Sequence, residues 1–175
     1  MNREMKLRSS VLCTVAALLC ATIPPAQSVQ APAVEFKLVV TGDVPTPLAL
    51  TASDLAAMPR ETVEVADQDG QKTTYEGVAL QEILKKAGIN FGSQLRGKDL
   101  AGYVLTSAKD GYQVVFSLGE LDANLGGLRA IVADQRDGKP LFEYQGPVRL
   151  VLPNDKAGAR SVRMLEKIEV VKLRK

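Results

Sequence analysis

The stretch Gly146-Pro147-Val148-Arg149-Leu150-Val151-Leu152-Pro153 organises the chain around it. Val148 to Leu152 has the β-branched and aliphatic content of a buried strand, a Gly-Pro turn precedes it and Pro153 follows it. Directly after comes Asn154-Asp155-Lys156-Ala157-Gly158-Ala159-Arg160-Ser161-Val162-Arg163. Gly158 lets backbone amides approach a ligand closely, Lys156, Arg160 and Arg163 line the loop, and Arg149 lies on the strand leading into it. These residue types suit an anion, with the Ser161 hydroxyl as a further donor. The plainer reading is a solvated basic turn in which Arg160 and Arg163 pair with acidic neighbours such as Asp155 and Glu166.

The chain opens with the pattern of a targeting segment. Arg3, Lys6 and Arg8 precede an apolar run from Val11 to Ile23, Pro24-Pro25 ends it, and the small residues Ala26 and Ser28 follow. This predicts a secretory signal peptide over residues 1–28, cleaved after Ser28, with a single domain over 29–175 and a periplasmic or secreted location. The run is shorter than the roughly 20 residues of a membrane span and lacks a second basic flank, so no span remains after cleavage. Leu19 before Cys20 argues against a lipid-modified cysteine.

Removing the signal changes what the composition says. Of 22 basic and 20 acidic residues, three basic and one acidic lie in residues 1–28, which leaves 19 of each and a formal charge of zero. A neutral chain without a basic stripe argues against nucleic acid as a partner. The two cysteines, Cys13 and Cys20, leave with the signal, and the sequence holds no His and no Trp. The remaining 147 of 175 residues can form no disulfide, Ser-His-Asp or Cys-His nucleophile system, thiolate or imidazole zinc site, or His- or Cys-ligated haem. Met58 and Met164 are isolated near apolar segments and read as core.

Along the chain, Val34 to Val40 reads as a strand and Leu48 to Leu50 as a short apolar piece. Thr51 with Asp54 starts a short helix that Pro59 stops. Glu61 to Ala66 and Lys72 to Tyr75 form a hairpin about Asp69-Gly70. Leu80, Ile83, Leu84 and Ala87 share one helical face, with Gly88 placed to cap the helix. Tyr103 to Ser107 and Tyr112 to Ser117 make a second hairpin, Leu118 to Asn124 a helix, Ala130 to Ala133 a strand, and Lys167 to Leu173 the closing strand. This order is α+β with mixed strands. Gly92 to Lys98 mimics the spacing of a phosphate-binding loop, but Asp99 replaces the required hydroxyl and the loop follows a helix, so it reads as a connection. Asp67 and Asp69 lack the other ligands of a calcium loop.

Several segments in order resemble the sulfite oxidase-type molybdopterin-binding domain. They are Tyr75-Glu76-Gly77-Val78-Ala79-Leu80, Asp110-Gly111-Tyr112, Gly138-Lys139-Pro140-Leu141, Gly146 to Pro153, and Arg160-Ser161-Val162-Arg163 ahead of Ile168-Glu169-Val170. The resemblance implies a mixed-sheet α+β fold of the sulfite oxidase-like type. It also implies molybdopterin as cofactor, with oxygen-atom transfer at a molybdenum held by the pterin dithiolene and one protein Cys. The loop through Arg160-Ser161-Val162-Arg163 resembles the segment that meets the pterin and its phosphate, so the resemblance and the residue types together nominate Arg149, Lys156, Gly158, Arg160, Ser161 and Arg163. The family's thiolate belongs between the strand after Pro59 and Gly77-Val78, and Thr62 to Tyr75 contains no Cys. The expectation is an exported protein on this fold, without molybdenum redox chemistry, that binds an anionic small molecule or a protein partner through its basic loop. The alternative is a molybdopterin-dependent oxidoreductase acting on small sulfur compounds without a protein thiolate.

Overall fold

The computed structural model describes residues 36–66 and 70–173, and the expected signal peptide, Val34 and the Asp67 and Asp69 positions lie outside them. Among the described residues, ten strands form two sheets. The first has the order β2-β1-β10-β5-β6, from β1 (Leu38–Gly42), β2 (Leu48–Leu50), β5 (Gly102–Ala108), β6 (Gln113–Ser117) and β10 (Leu165–Lys172). It is mixed: β1 runs parallel to β10 with Val40 opposite Ile168, and the other neighbours are antiparallel. The second sheet has the order β3-β4-β7-β8, from β3 (Arg60–Ala66), β4 (Lys72–Ala79), β7 (Ile131–Arg136) and β8 (Lys139–Pro140). Beside β8, the free edge of β7 also takes β9 (Arg149–Val151), which pairs with Ile131 to Ala133.

Side-chain alternation on β7 and β9 decides where the functional residues go. Successive residues of a strand face opposite sides of the sheet. Val132 and Leu150 therefore enter the main core with Leu38, Val40, Val104, Phe116, Ile168 and Val170. Ile131, Ala133 and Val151 face the other way and form a smaller cluster with Val63, Tyr75 and Leu141. Arg149, two residues before Val151, lies on that outer side. Because β7 is covered on both faces, Ile131-Val132-Ala133 is a continuous apolar run.

The helices fill the ends of the main core. Thr51 caps α1 (Ala52–Ala56) in a reciprocal arrangement: the Asp54 amide donates to the Thr51 hydroxyl, and the Thr51 amide donates to the Asp54 carboxylate at 2.8 Å. The Thr51 hydroxyl beside it holds the Asp54 carboxyl below the usual carboxylate range. The helix over Leu80–Lys86 (α2) begins at Leu80, the first residue of its expected apolar face, and β4 runs past the expected Tyr75 because Glu76 to Ala79 pair with its neighbouring strands. Its buried face is Leu80, Ile83 and Leu84, and Gly88 at φ +89° ends it in the left-handed conformation that glycine tolerates. The helix expected over Leu118–Asn124 stops at Leu121 (α3, Leu118–Leu121), where the buried Asp122 accepts backbone amides from Gly92 and Asn124. Gly92 to Ala101 forms two 3₁₀ turns that connect α2 to β5. Met58 packs against the main core, whereas Met164, at φ +47°, is half-exposed in a surface groove.

Two features fix β4 between its neighbours. The Arg60 guanidinium forks onto Asp134 at 2.7 and 2.6 Å and donates from Nε to Glu76 at 3.0 Å, tying β3, β7 and β4 together. Asp134, and then Glu76, hold the Arg60 pKa above its ordinary value. At Gly77, beside a register shift in β4, a Cβ would lie 2.1 Å from the Val132 carbonyl oxygen. Gly77→Ala is expected to destabilise the protein by roughly 1–3 kcal/mol, the range for overpacking a tight interior. Urea denaturation of the two proteins measures this, with an unchanged denaturant slope expected.

Candidate functional site

Arg149 is half-buried on the outer face of the second sheet. Its Nη1 donates to the Tyr75 hydroxyl at 3.1 Å and to the Gln145 side-chain oxygen at 2.5 Å, and its guanidinium carbon lies 5.0 Å from the Tyr75 ring centre. All these partners are neutral. Nε is buried and has no acceptor among the described residues. Burial pushes the Arg149 pKa down; Tyr75 opposes that shift, and the positive charges of Arg163 and Arg136 add to it. Arg149 thus has no carboxylate partner among the described residues, whereas Arg136 is paired with Asp137 at 3.4 Å.

The loop after β9 contributes residues of two kinds. Arg160 is engaged within the protein: Nε and Nη2 donate to Asp155 at 2.8 and 2.7 Å, and Nη1 donates to Glu120 on α3 at 2.6 Å. Its guanidinium also lies 5.5 Å from the Phe116 ring centre. Asp155, then Glu120, hold the Arg160 pKa above its ordinary value. Of the two carboxylates weighed from sequence, the structure brings Asp155 to Arg160, while Arg163 stacks 5.4 Å from the centre of the Tyr144 ring. Arg163, Ser161 and Gly158 line a groove of about 220 Å³ with Asp110, Tyr112 and Ala159. The Tyr112 hydroxyl donates to the Ala159 carbonyl at 2.5 Å, pinning the loop to the β5–β6 hairpin. Space around Gly158 is open, and Lys156 is exposed with no ion pair among the described residues.

The six nominated residues therefore divide. Arg149 sits on the sheet face with Tyr75 and Gln145, Ser161 and Gly158 share a groove with Arg163, Arg160 turns toward carboxylates, and Lys156 stands apart in solvent. Sequence reasoning missed Tyr75, Arg136, Gln145 and Tyr144. Tyr75 and Arg136 are directly opposite in the β4–β7 register, and strand pairing across sixty residues leaves no local signal. Gln145, four residues before Arg149, carried the one short-range cue.

The hairpin in which the resemblance places a metal-binding thiolate is β3–β4, paired from Arg60–Val78 to Ala66–Lys72. Its described residues carry no Cys, and no group of three or more His, Cys, Asp or Glu side chains among the described residues is placed to hold a metal ion. Nor is any helix there long and apolar enough to cross a membrane.

The family model described as the oxidoreductase molybdopterin binding domain matches residues 23–175. The chain belongs to that family. In fold it is similar to the crystal structure of the sulfane dehydrogenase SoxCD from Paracoccus pantotrophus, with a TM-score of 0.62 and 20% sequence identity. The match covers 78% of this chain and 38% of that one. Among curated proteins no relative matches. The α+β sulfite oxidase-like architecture that the resemblance implied is thus the architecture of this molybdopterin-binding domain.

The carboxylate clasp on Arg160 yields a prediction distinct from a ligand-binding role. Asp155→Asn removes the charge that accepts two of its hydrogen bonds, and is expected to cost roughly 1–2 kcal/mol, a charged hydrogen bond reduced for partial exposure. Glu120→Gln is expected to cost less. Thermal melts of both variants beside Arg160→Ala test this, the arginine variant falling at least as far as Asp155→Asn.

Proposed function

We propose that this domain is an exported anion-binding protein on the molybdopterin-binding fold, taking a phosphate-bearing ligand at Arg149 and Arg163 rather than performing molybdenum redox chemistry. The observation that carries this reading is Arg149, held half-buried by neutral partners with Nε orphaned and Arg163 adding positive charge. A buried cation without a counter-ion costs stability, so a site that keeps one is shaped for an anion supplied from outside. Ser161 and the Arg163 guanidinium extend the site along the loop, and Tyr144 beneath Arg163 offers a ring face. These residues fit the phosphate of a pyranopterin. They do not fit its metal, because the only cysteines are Cys13 and Cys20 in the expected signal and no His exists. Without a Cys in residues 29–175, no protein thiolate completes a molybdenum centre.

Arg149→Met is expected to weaken binding of inorganic phosphate, and of a pterin phosphate monoester, by roughly 1.5–3 kcal/mol, about ten- to a hundred-fold in Kd. The melting temperature should hold or rise, since the substitution removes a poorly compensated charge. Calorimetric titration at low salt with parallel melts reads both. Wild-type protein without affinity for either probe overturns the reading. Stoichiometric molybdenum in protein from its own host, with turnover of sulfite or a sulfoxide, establishes the oxidoreductase alternative instead.

Export makes a separate prediction. The intact mass of protein recovered outside the cytoplasm is expected to correspond to a chain beginning at Val29, free of disulfides. A mass that retains residues 1–28 rules the cleavage out.

A further inference from the structure

The turn between β8 and β9 displays two aromatic side chains at the surface. Phe142 is 67% exposed and Tyr144 57% exposed. Leaving large apolar side chains in water is unfavourable, and aromatic residues are enriched in the cores of protein interfaces. The turn that carries them is well fixed. Glu143 between them adopts φ +51°, the Gln145 amide donates to the Phe142 carbonyl at 3.1 Å, and the Gln145 side chain accepts from Arg149. Beneath the turn Leu141 is buried, and at Gly146 a Cβ would sit 2.7 Å from the Leu141 carbonyl oxygen, so the backbone is packed tightly. A turn ordered in advance loses little entropy when its side chains are buried by a partner.

Beside Phe142 opens a groove of about 430 Å³. Leu141, Pro147, Met164 and Leu165 give it an apolar lining. Four charged residues also border it, Lys37 and Lys109 of one sign and Glu143 and Glu166 of the other. A projecting aromatic ring thus lies next to an apolar recess with room for a ring, on one patch whose charges balance. A two-fold interface requires that kind of patch, because the same surface must supply both knob and hole and both signs of charge. A partner of different sequence imposes no such balance.

We infer that this face is a self-association surface on which Phe142 of each copy enters the Leu141, Pro147, Met164 and Leu165 groove of a second copy. The inference does not depend on the anion site at Arg149. Full-length exported protein carrying p-benzoylphenylalanine at position 142 is prepared in light and heavy isotopic forms, mixed and irradiated. Cross-links joining position 142 of one isotopic form to the peptide containing Met164 and Leu165 of the other are expected. Sedimentation equilibrium of the wild-type protein should show a dimer, and Phe142→Asp should raise its dissociation constant at least ten-fold while leaving the melting temperature of the monomer in place. Three results overturn the inference: a wild-type protein that stays monomeric at 100 μM or below, a Phe142→Asp variant as dimeric as wild type, or cross-links confined to the same copy, including any to residues before Phe36.

Discussion

The backbone ladder that runs from β4 through β7 to β9 holds the candidate site together. Its hydrogen bonds align Tyr75 with Arg136 and Ala133 with Arg149, so residues far apart in sequence share one face of the sheet. The period of two along each strand separates that face from the main core: Val132 and Leu150 go inward while Ala133, Arg149 and Val151 go outward. A slip of one residue in β9 would send Arg149 into the main apolar core and Leu150 to the outer face. The Arg60 fork on Asp134 and the bare Cα of Gly77 against Val132 both act on this ladder.

The arginines of the domain illustrate how environment sets the role of one residue type. Arg60 and Arg160 each meet two carboxylates in fork geometry and hold elements together. Arg149 meets a phenol and an amide, and Arg163 meets an aromatic ring. The first pair has its charge satisfied inside the protein, whereas the second pair retains attraction for something outside. That division separates the arginines engaged inside the protein from those of the proposed anion site better than position in the loop, since Arg160 and Arg163 are three residues apart. Arg160 serves the site indirectly, because its bonds to Asp155 and Glu120 fix the loop that carries Ser161 and Arg163.

Much of the fold was legible from short-range patterning. The capping box at Thr51, the glycine stop at Gly88, the β3–β4 and β5–β6 hairpins and the buried strand after Pro147 all rest on interactions within a few residues, and the structure contains each one. The end of β4 lies beyond the expected Tyr75, because Glu76 to Ala79 pair with neighbouring strands before α2 begins at Leu80. The apolar spacing of a helix continues smoothly from such a strand and carries no mark of where pairing ends. The shortened α3 has a similar cause, since Asp122 is committed to the amides of Gly92 and Asn124 rather than to another helical turn.

For the site, the sequence by itself determined the chemistry available: basic residues in and before one loop, a serine among them, and neither Cys nor His after position 20. It also set the α+β class and the family resemblance, because those follow from the order and type of local segments. The tertiary structure alone decided which cations are neutralised. Glu120 reaches Arg160 from forty residues away, and Tyr75 and Arg136 reach Arg149 through strand pairing. Coulomb energy depends on distance and burial, and neither is fixed by spacing along the chain once strands from distant segments pair.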